Sequence, residues 1–402
     1  MNIIFLTISR VPDVSARGIY TDLLRKFRDE GHNVYVVYPR ERQFRLPTAL
    51  EEQAGVHLLG VHTLNIQKTN VVEKGLATLL VEGQYRQAID RHLRGVSFDL
   101  ILYSTPPITF TNVVRHLKRL NPQAVAYLLL KDIFPQNAVD LGMLARGGLL
   151  HRYFRRKEQG LYRVSDFIGC MSPANVDFVL RHNPEVPKGK VEVAPNSIEP
   201  LEGGEVGSEE RQAIRRKYRL PVDKLVFVYG GNLGKPQGVG FLMACLERNK
   251  DRADCFFLVV GNGTEYHKLE AWFAGQKPRN ALLLSRLPKA DYDLLVRSCD
   301  VGLIFLDHRF TIPNYPSRLL SYLECRMPVL AATDEATDVG RMAEENGYGL
   351  WCRSNDAGAF TACVDRLVAS PGLVRTMGER GYAYLKANYV VDNTYSAIMS
   401  HF

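Results

Sequence analysis

Short apolar runs alternate with stretches of helical periodicity along most of this chain, and the alternation predicts an α/β fold. The run Asn2–Ile8, a helical face within residues 19–27 and the run Val34–Tyr38 give the strand, helix, strand order of a parallel sheet. Further strands are predicted at Val56–Val61, Asp99–Tyr103, Ala124–Leu130, Phe167–Met171, Val191–Val193, Leu225–Tyr229, Phe256–Val260, Ala281–Leu284, Val301–Leu306 and Val329–Ala332.

A segment without apolar periodicity separates two such stretches. Residues 199–210 are rich in Gly and Glu, a composition typical of a linker. We therefore predict two Rossmann-like domains with parallel sheets. The first covers residues 1–197, a linker follows at 198–212, and the second covers 213–380. Residues 381–402 are expected to form a helix that packs back on the first domain.

Positive charge is concentrated in the first half of the chain. Residues 1–199 hold 26 Lys and Arg against 19 Asp and Glu, whereas residues 200–402 hold 25 against 24. This excess predicts an anionic partner such as a lipid phosphate or a membrane surface. Because no RNA- or DNA-binding motif accompanies the charge, we expect no nucleic-acid partner.

The rest of the composition favours a cytoplasmic globular protein. No apolar run approaches the roughly 20 residues of a membrane span. The apolar start lacks the basic segment and cleavage site of a signal peptide. The seven cysteines include no CxxC pair, so we expect reduced thiols and neither a disulfide frame nor a zinc site.

The stretch Val226–Gly238 is the first candidate binding site. An apolar run breaks into four glycines within nine residues, Lys235 adds a positive charge, and a helical pattern follows. A helix that starts after a glycine turn points free N–H groups at an anion, so the pattern indicates a diphosphate site. It matches neither a P-loop nor a dinucleotide fingerprint, and a glycine-rich turn without a ligand is the alternative.

A second helix start is predicted near Ser317. Pro313 and Pro316 favour an extended loop, Ser317 is a good N-cap, and Arg318 opens a helical pattern. The first-turn N–H groups and Arg318 would face a phosphate, although Arg318 alone is also compatible with a surface ion pair. We expect this helix start and the one after Gly238 to converge on one diphosphate.

Two loops in the first half also carry candidate residues. Asp132 follows a predicted strand, where a carboxylate is suited to acid–base chemistry or to a sugar hydroxyl; capping of the next helix is the alternative. The loop from Ser9 to Gly18 contains Arg17 and leaves the first strand, a usual place for ligand contact, and an ordinary connection is the alternative.

The segment Ala145–Val164 predicts a basic helix with apolar anchors. Leu149, Tyr153 and Phe154 alternate with several Arg and Lys residues. Such a helix can lie on an anionic bilayer, and a core-packed helix with a solvated basic face is the alternative.

Taken together, the order of these motifs resembles the GT-B retaining glycosyltransferases of family 4, in particular the bacterial polysaccharide branch. The resemblance covers nearly the whole chain. It rests on Gly31–Val34 (family pattern G-H-x-V), Lys131–Pro135 (R-D-x-W-P), Ala194–Ser197 (P-N-G), Val259–Gly263 (G-x-G), Pro316–Leu319 (P-S-K/R-L) and Met327–Val329 (P-V).

This resemblance implies two domains that face each other across a cleft, with a nucleotide-diphosphate sugar on the second and the acceptor on the first. UDP is the expected nucleotide, and no metal or other cofactor is expected. Asp132 is the implied catalytic residue, and Arg17, Gly18 and Lys131 are the implied acceptor-binding residues. The implied donor-binding residues are Gly231, Asn232, Lys235, Gly261, Asn262, Ser317, Arg318, Leu319, Ser321 and Glu324.

The chain also departs from the family pattern. Asn232 and Gln237 stand where the family carries Arg and Lys, and Pro313 and Ser321 stand at two glutamate positions, with Glu324 one turn further on.

The expected function is transfer of a hexosyl or N-acetylhexosaminyl group, with retained configuration, to a lipid-linked or saccharide acceptor of a cell-surface polysaccharide. The enzyme would lie on the inner face of the cell membrane. A non-catalytic partner subunit and a UDP-sugar 2-epimerase are the alternatives.

Overall fold

The computed structural model describes residues 1–66, 71–201 and 206–402. Its chain divides into two compact units, Met1–Glu199 together with Val390–Phe402, and Pro200–Tyr389. Part of the predicted linker, residues 202–205, lies outside the described residues.

The strands of the first unit form one twisted sheet with helices on its faces. Within the described part of this unit, the strand order is β3-β4-β2-β1-β5-β6-β7-β8, and each neighbouring pair is parallel except β3 with β4. The strands are β1 (Asn2–Leu6), β2 (Asn33–Glu41), β3 (Ala49–Gln53), β4 (Val56–Thr63), β5 (Leu100–Ser104), β6 (Val125–Leu130), β7 (Phe167–Cys170) and β8 (Val191–Val193).

Burial on both faces explains why these runs are continuously apolar. Ile3, Ile4 and Phe5 are all buried although they point alternately to opposite faces of the sheet. The helices of this unit are α1 (Ile19–Asp29), α2 (Val71–His92), α3 (Thr111–Leu120), α4 (Gln136–Asp140), α5 (Leu149–Val164), α6 (Pro173–His182) and α15 (Val391–Met399).

The second unit repeats the parallel α/β architecture. Among its described residues the strand order is β11-β10-β9-β12-β13-β14, and all neighbouring pairs are parallel. Its elements are α7 (Ser208–Lys217), β9 (Leu225–Asn232), α8 (Val239–Asn249), β10 (Cys255–Asn262), α9 (Tyr266–Gln276), β11 (Ala281–Leu284), α10 (Lys289–Arg297), β12 (Val301–Phe305), α11 (Arg318–Glu324), β13 (Val329–Thr333), α12 (Val339–Glu345), β14 (Gly349–Arg353), α13 (Ala357–Val368) and α14 (Pro371–Asn388).

Two helix boundaries differ from the predicted division of the chain. Helix α7 begins at Ser208, inside the range 198–212, because Glu209 and Glu210 in its first turn suit the positive end of the helix dipole. Position 381 falls within α14, which runs unbroken to Asn388.

The last helix, α15, belongs to the first unit and packs on α1. The rings of Phe27 and Tyr395 lie 5.1 Å apart, and Lys26 pairs with Asp392 at 2.7 Å. Aromatic packing and an ion pair therefore hold α15 against α1.

Candidate functional site

Residues 230–238, which we call the glycine segment, begin at the carboxyl end of β9. Strand β9 lies between β10 and β12, the place where the strand order of the sheet reverses. Such a switch point is a usual ligand site in open α/β sheets. The pairing of β9 with β10 continues through Gly231–Gly261 and Asn232–Asn262. A Cβ atom on Gly261 would overlap the carbonyl oxygen of Gly231. Close backbone contact therefore accounts for Gly261 without a ligand.

Side chains within the glycine segment bond to one another. The Oε1 atom of Gln237 accepts hydrogen bonds from the Gly234 N–H and from Asn232 Nδ2, each at 3.1 Å. The hydroxyl of Tyr229 donates to the Asn232 carbonyl at 2.7 Å. Asn232 and Gln237, which stand where the family pattern has Arg and Lys, are thus hydrogen-bonded to each other. Lys235 is exposed at the start of the following turn.

Arg318 lies beside this segment. Its guanidinium stacks over the ring of Tyr229, 4.3 Å from the ring centroid. A Cβ atom on Gly231 would stand 3.7 Å from Arg318 Nη2. Gly231 also has a φ of 121°, which strongly favours glycine. The structure therefore brings together two of the predicted donor-binding residues, Gly231 and Arg318.

Three tyrosines surround this place, and the sequence prediction missed them. Besides Tyr229, the hydroxyl of Tyr322 accepts a hydrogen bond from the Gly230 N–H at 3.2 Å. The hydroxyl of Tyr292 packs so closely on Gly230 that a Cβ atom there would overlap it. Tyr322 follows Arg318 by one helical turn, a spacing that indicated a shared face.

The charge of Arg318 has no matching carboxylate among the described residues. Its Nη1 atom is buried and makes no hydrogen bond within the described structure. Burial acts to lower the pKa of Arg318, but the neighbouring tyrosines more than offset it, so the guanidinium stays charged. A buried N–H without a partner destabilises the ligand-free protein, and an anion on the guanidinium would offset that cost. The alternative of a surface ion pair is wrong.

The start of α11 differs from the prediction. Ser317 makes no capping hydrogen bond, because its own φ of −62° and ψ of −19° are helical. Leu319 is buried in the core, and its N–H already bonds to the Pro316 carbonyl at 3.1 Å. The helix is only seven residues long, so its dipole contributes little. The unpartnered group at this place is therefore the Arg318 side chain and not a capped helix terminus.

The remaining predicted donor residues have varied surroundings. Ser321 is exposed on α11. Glu324 is buried and accepts a hydrogen bond from the Leu201 N–H at 2.8 Å, which gives its carboxylate a structural role. Asn262 is exposed, and its Oδ1 atom accepts from the Gly263 N–H at 2.7 Å.

In the first unit, Lys131 and Asp132 follow β6. The hydroxyl oxygen of Thr105 accepts from both backbone N–H groups, at 2.9 and 3.1 Å. Asn137 Nδ2 donates to Asp132 Oδ1 at 2.8 Å, and burial raises the pKa of Asp132 to about 6. Pro135 occupies the N-cap of α4, so the capping alternative for Asp132 is wrong.

The other predicted acceptor residues make structural bonds. Lys131 Nζ donates to the Ala194 carbonyl at 3.1 Å, and burial lowers the pKa of Lys131 to about 7. Arg17 Nη2 donates to the Glu199 carbonyl at 2.8 Å. The N–H of Gly18, the N-cap of α1, donates to Asp22 at 2.9 Å. The bonds of Arg17 and Gly18 hold the loop that follows β1.

Helix α5 exposes apolar side chains at its start. Leu149 is 86% exposed, Leu150 62% and Tyr153 38%, and basic side chains follow along the helix. Phe154 instead packs on Phe134, with ring centroids 4.9 Å apart. We call Leu149, Leu150 and Tyr153 the apolar tip of α5.

The described residues hold neither a cluster of metal ligands nor a helix suited to span a membrane. They contain no group of three His, Cys, Asp or Glu side chains arranged to hold a metal ion. Across the same residues, no helix combines the length and the hydropathy needed to cross a membrane.

Comparison with known proteins gives a family match within the second unit. Residues 210–384 match the family model "Glycosyl transferases group 1". The chain is 24% identical over 242 residues to WbjE, a probable glycosyltransferase of Pseudomonas aeruginosa, a match that covers 60% of this chain and 59% of WbjE. It is 25% identical over 153 residues to WcaI, a candidate colanic acid biosynthesis glycosyl transferase of Escherichia coli (strain K12), covering 37% of each chain. These matches therefore span about three-fifths and just over a third of the two relatives.

The fold is that of solved GT-B glycosyltransferases. The structure of Anabaena Alr3699/HepE in complex with UDP matches with a TM-score of 0.70 at 14% identity, covering 100% of this chain and 99% of that one. At such low identity the likeness shows the fold alone. The predicted fold class, two α/β domains with parallel sheets, is thus confirmed.

The raised pKa of Asp132 predicts how the stability of an Asp132→Asn variant depends on pH. Because folding raises this pKa, ionisation of the buried carboxyl destabilises the fold above about pH 6, and the cost fades as the pH falls toward 4. We expect D132N to melt at a higher temperature than the wild type at about pH 7.5 and to lose that advantage near pH 4. Thermal melts across this range check it.

Asp177→Asn is the matched control, because Asp177 is exposed in the same unit. It should give no pH-dependent difference in melting temperature. A D132N protein that melts below the wild type at every pH would contradict the expectation that ionisation of the buried Asp132 carboxyl destabilises the fold.

Proposed function

We propose that the protein is a retaining glycosyltransferase of bacterial polysaccharide synthesis. It would move a hexosyl or N-acetylhexosaminyl group from a nucleotide-diphosphate sugar, most simply a UDP-sugar, to a lipid-linked or saccharide acceptor. The observation that carries the proposal is the charged, half-buried Arg318 with an unpartnered N–H beside Gly231. It lies within the segment that matches glycosyl transferases group 1. HepE, which shares the fold, is described in complex with UDP.

In this proposal Arg318 binds the diphosphate. The bond from the anomeric carbon to the diphosphate oxygen breaks, and its electron pair leaves on the diphosphate. A guanidinium already positioned beside that oxygen stabilises the developing charge without reorganisation. Gly231 admits the phosphate because it has no side chain, and exposed Lys235 adds charge. The proposal assigns the stabilising positive charge to Arg318 and Lys235 and invokes no metal ion.

On the first unit, the proposal assigns the acceptor to the loop after β6. The acceptor oxygen forms the new bond to the anomeric carbon, on the face from which the diphosphate departs, and gives its proton to the carboxylate of Asp132. A base is most effective when its pKa is near the working pH. Burial raises the pKa of Asp132 to about 6, which suits that role.

The hydrogen bond between Asn232 and Gln237 favours one other function. It ties together two positions at which the resemblance implies donor-binding charges. A non-catalytic partner subunit that had lost the donor would have the same feature. Binding of UDP separates the two, because a partner subunit without a donor site gains no stability from the nucleotide.

The first prediction for this function concerns an Arg318→Met variant. Methionine keeps most of the volume but removes the charge and the unpartnered N–H. We expect UDP to raise the melting temperature of the wild type and not that of R318M. Without UDP, R318M should melt at the same or a higher temperature than the wild type. Transfer from UDP-glucose, UDP-galactose and UDP-N-acetylglucosamine to isolated bacterial membranes should be lost.

Arg341→Met is the matched control, because Arg341 is an exposed arginine of the same unit. It should keep both the UDP effect and the transfer. An R318M protein that UDP stabilises as much as the wild type would exclude Arg318 from the donor site. A wild type that neither binds UDP nor uses any donor would refute the proposed function.

We also propose that the protein lies on the inner face of the cytoplasmic membrane through α5. The apolar tip of this helix is exposed, and Arg146, Arg152, Arg156 and Lys157 surround it. Apolar anchors among basic side chains suit an anionic bilayer, which offers both hydrocarbon and lipid phosphate. A lipid-linked acceptor would lie at the same surface.

The second prediction tests this surface with a Leu149→Ser, Leu150→Ser, Tyr153→Ser variant. We expect it to release the protein from vesicles that contain phosphatidylglycerol, because the change removes the inserted apolar area but no charge. Vesicle co-sedimentation measures the bound fraction. Phe154 is left unchanged because it packs on Phe134.

The matched control changes three exposed apolar residues elsewhere in the first unit to Ser: Leu46, Leu120 and Val193. These substitutions should leave binding unchanged. Equal loss of binding in both variants, or in neither, would place the membrane contact away from α5.

A further inference from the structure

Asn137 is held in a costly arrangement beside Asp132. Its Nδ2 atom donates to Asp132 Oδ1 at 2.8 Å, while its own Oδ1 atom is buried without a partner among the described residues. A buried acceptor left unpaired destabilises a protein. An apolar side chain would avoid this cost but would take the hydrogen bond away from Asp132 Oδ1, so the asparagine serves the carboxylate beside it.

The backbone beneath Asp132 is fixed by a different residue. The buried hydroxyl of Thr105 accepts from the N–H groups of Lys131 and Asp132 and donates to the Asp132 carbonyl at 3.2 Å. Thr105 therefore orients the main chain, while Asn137 contacts the carboxylate itself. The two contacts have separable consequences, because Asn137, like the Ile133 backbone, bonds to the carboxylate and so responds to its charge, whereas Thr105 bonds only to main-chain groups.

We propose that Asn137 is a positioning residue for glycosyl transfer, which holds the Asp132 carboxylate ionised and oriented to receive the proton of the acceptor hydroxyl. This inference rests on the proposed function. As that proton moves to Asp132, the acceptor oxygen bonds to the anomeric carbon and the diphosphate leaves with the electron pair of the broken bond. Asn137 itself gains and loses no atom.

The electrostatic effect of Asn137 has a definite sign. Burial raises the pKa of Asp132, and the hydrogen bond from Asn137 acts against burial by favouring the ionised form. Without this bond, less counteracts the rise that burial causes in the pKa of Asp132. The pKa of Asp132 then rises further, and a smaller fraction of the carboxylate is ionised near neutral pH.

The test compares Asn137→Leu with Thr105→Val. Leucine keeps the branched shape of Asn137 and removes both polar atoms. We measure the transfer rate against pH with saturating UDP-sugar and isolated bacterial membranes. In N137L the acid limb of kcat should move up by about one pH unit, with activity partly recovered at high pH. In T105V the rate should fall at every pH and the limb should stay in place.

Two further measurements separate this inference from the proposed function. The rise in melting temperature with UDP should be the same in N137L and the wild type, because Arg318 is untouched. Carbon-13 NMR of the Asp132 carboxyl, identified by its absence in D132N, should show a higher pKa in N137L. A wild type that uses no donor would refute the function itself.

Two results would overturn the inference while the function stands. One is an N137L enzyme that transfers sugar with its acid limb at the wild-type pH. The other is an unchanged carboxyl titration in N137L. Either would assign Asn137 a purely structural role.

Discussion

A half-buried positive charge without a carboxylate partner is the feature on which the proposed donor site depends. Arg318 lies among tyrosines, which surround the charge with aromatic faces and neutral hydroxyls instead of neutralising it. An internal ion pair would be more stable in the free protein, but it would occupy the groups that a phosphate needs. A side chain at Gly231 would contact the guanidinium, because a Cβ atom there would lie 3.7 Å from Arg318 Nη2.

The parallel sheets were predictable because strands buried on both faces are continuously apolar. Strands β3 and β14 were missed for local reasons. The sequence of β3, Ala49–Gln53, carries Glu51 and Glu52 on an exposed edge, and β14 is a five-residue edge strand that begins with Gly349. Edge strands need less apolar surface than central ones, so periodicity alone does not reveal them.

The donor site was predictable only in part, because sequence shows residue types but not their partners. Arg318 and Gly231 were named, and the structure places them together. Ser317 and Leu319 follow the family pattern, yet one makes no cap and the other lies in the core. The tyrosines were missed because an aromatic residue in a strand or on a helix is most often core. Only their distance to the glycine segment distinguishes them.

Each of the two units, taken by itself, has the same physical feature. Arg318 Nη1 and Asn137 Oδ1 are buried polar atoms without partners, and each belongs to a side chain beside a residue chosen from sequence alone, Gly231 or Asp132. The neighbours Lys131 and Asp132 reinforce the point, since burial lowers the pKa of one and raises that of the other. Twelve buried side-chain polar atoms of the described residues lack partners, so such an atom indicates a function only where it adjoins a residue suited to the proposed chemistry. Chemistry on an anionic leaving group and a proton-bearing acceptor needs such places, because a group already paired within the protein is not available to either.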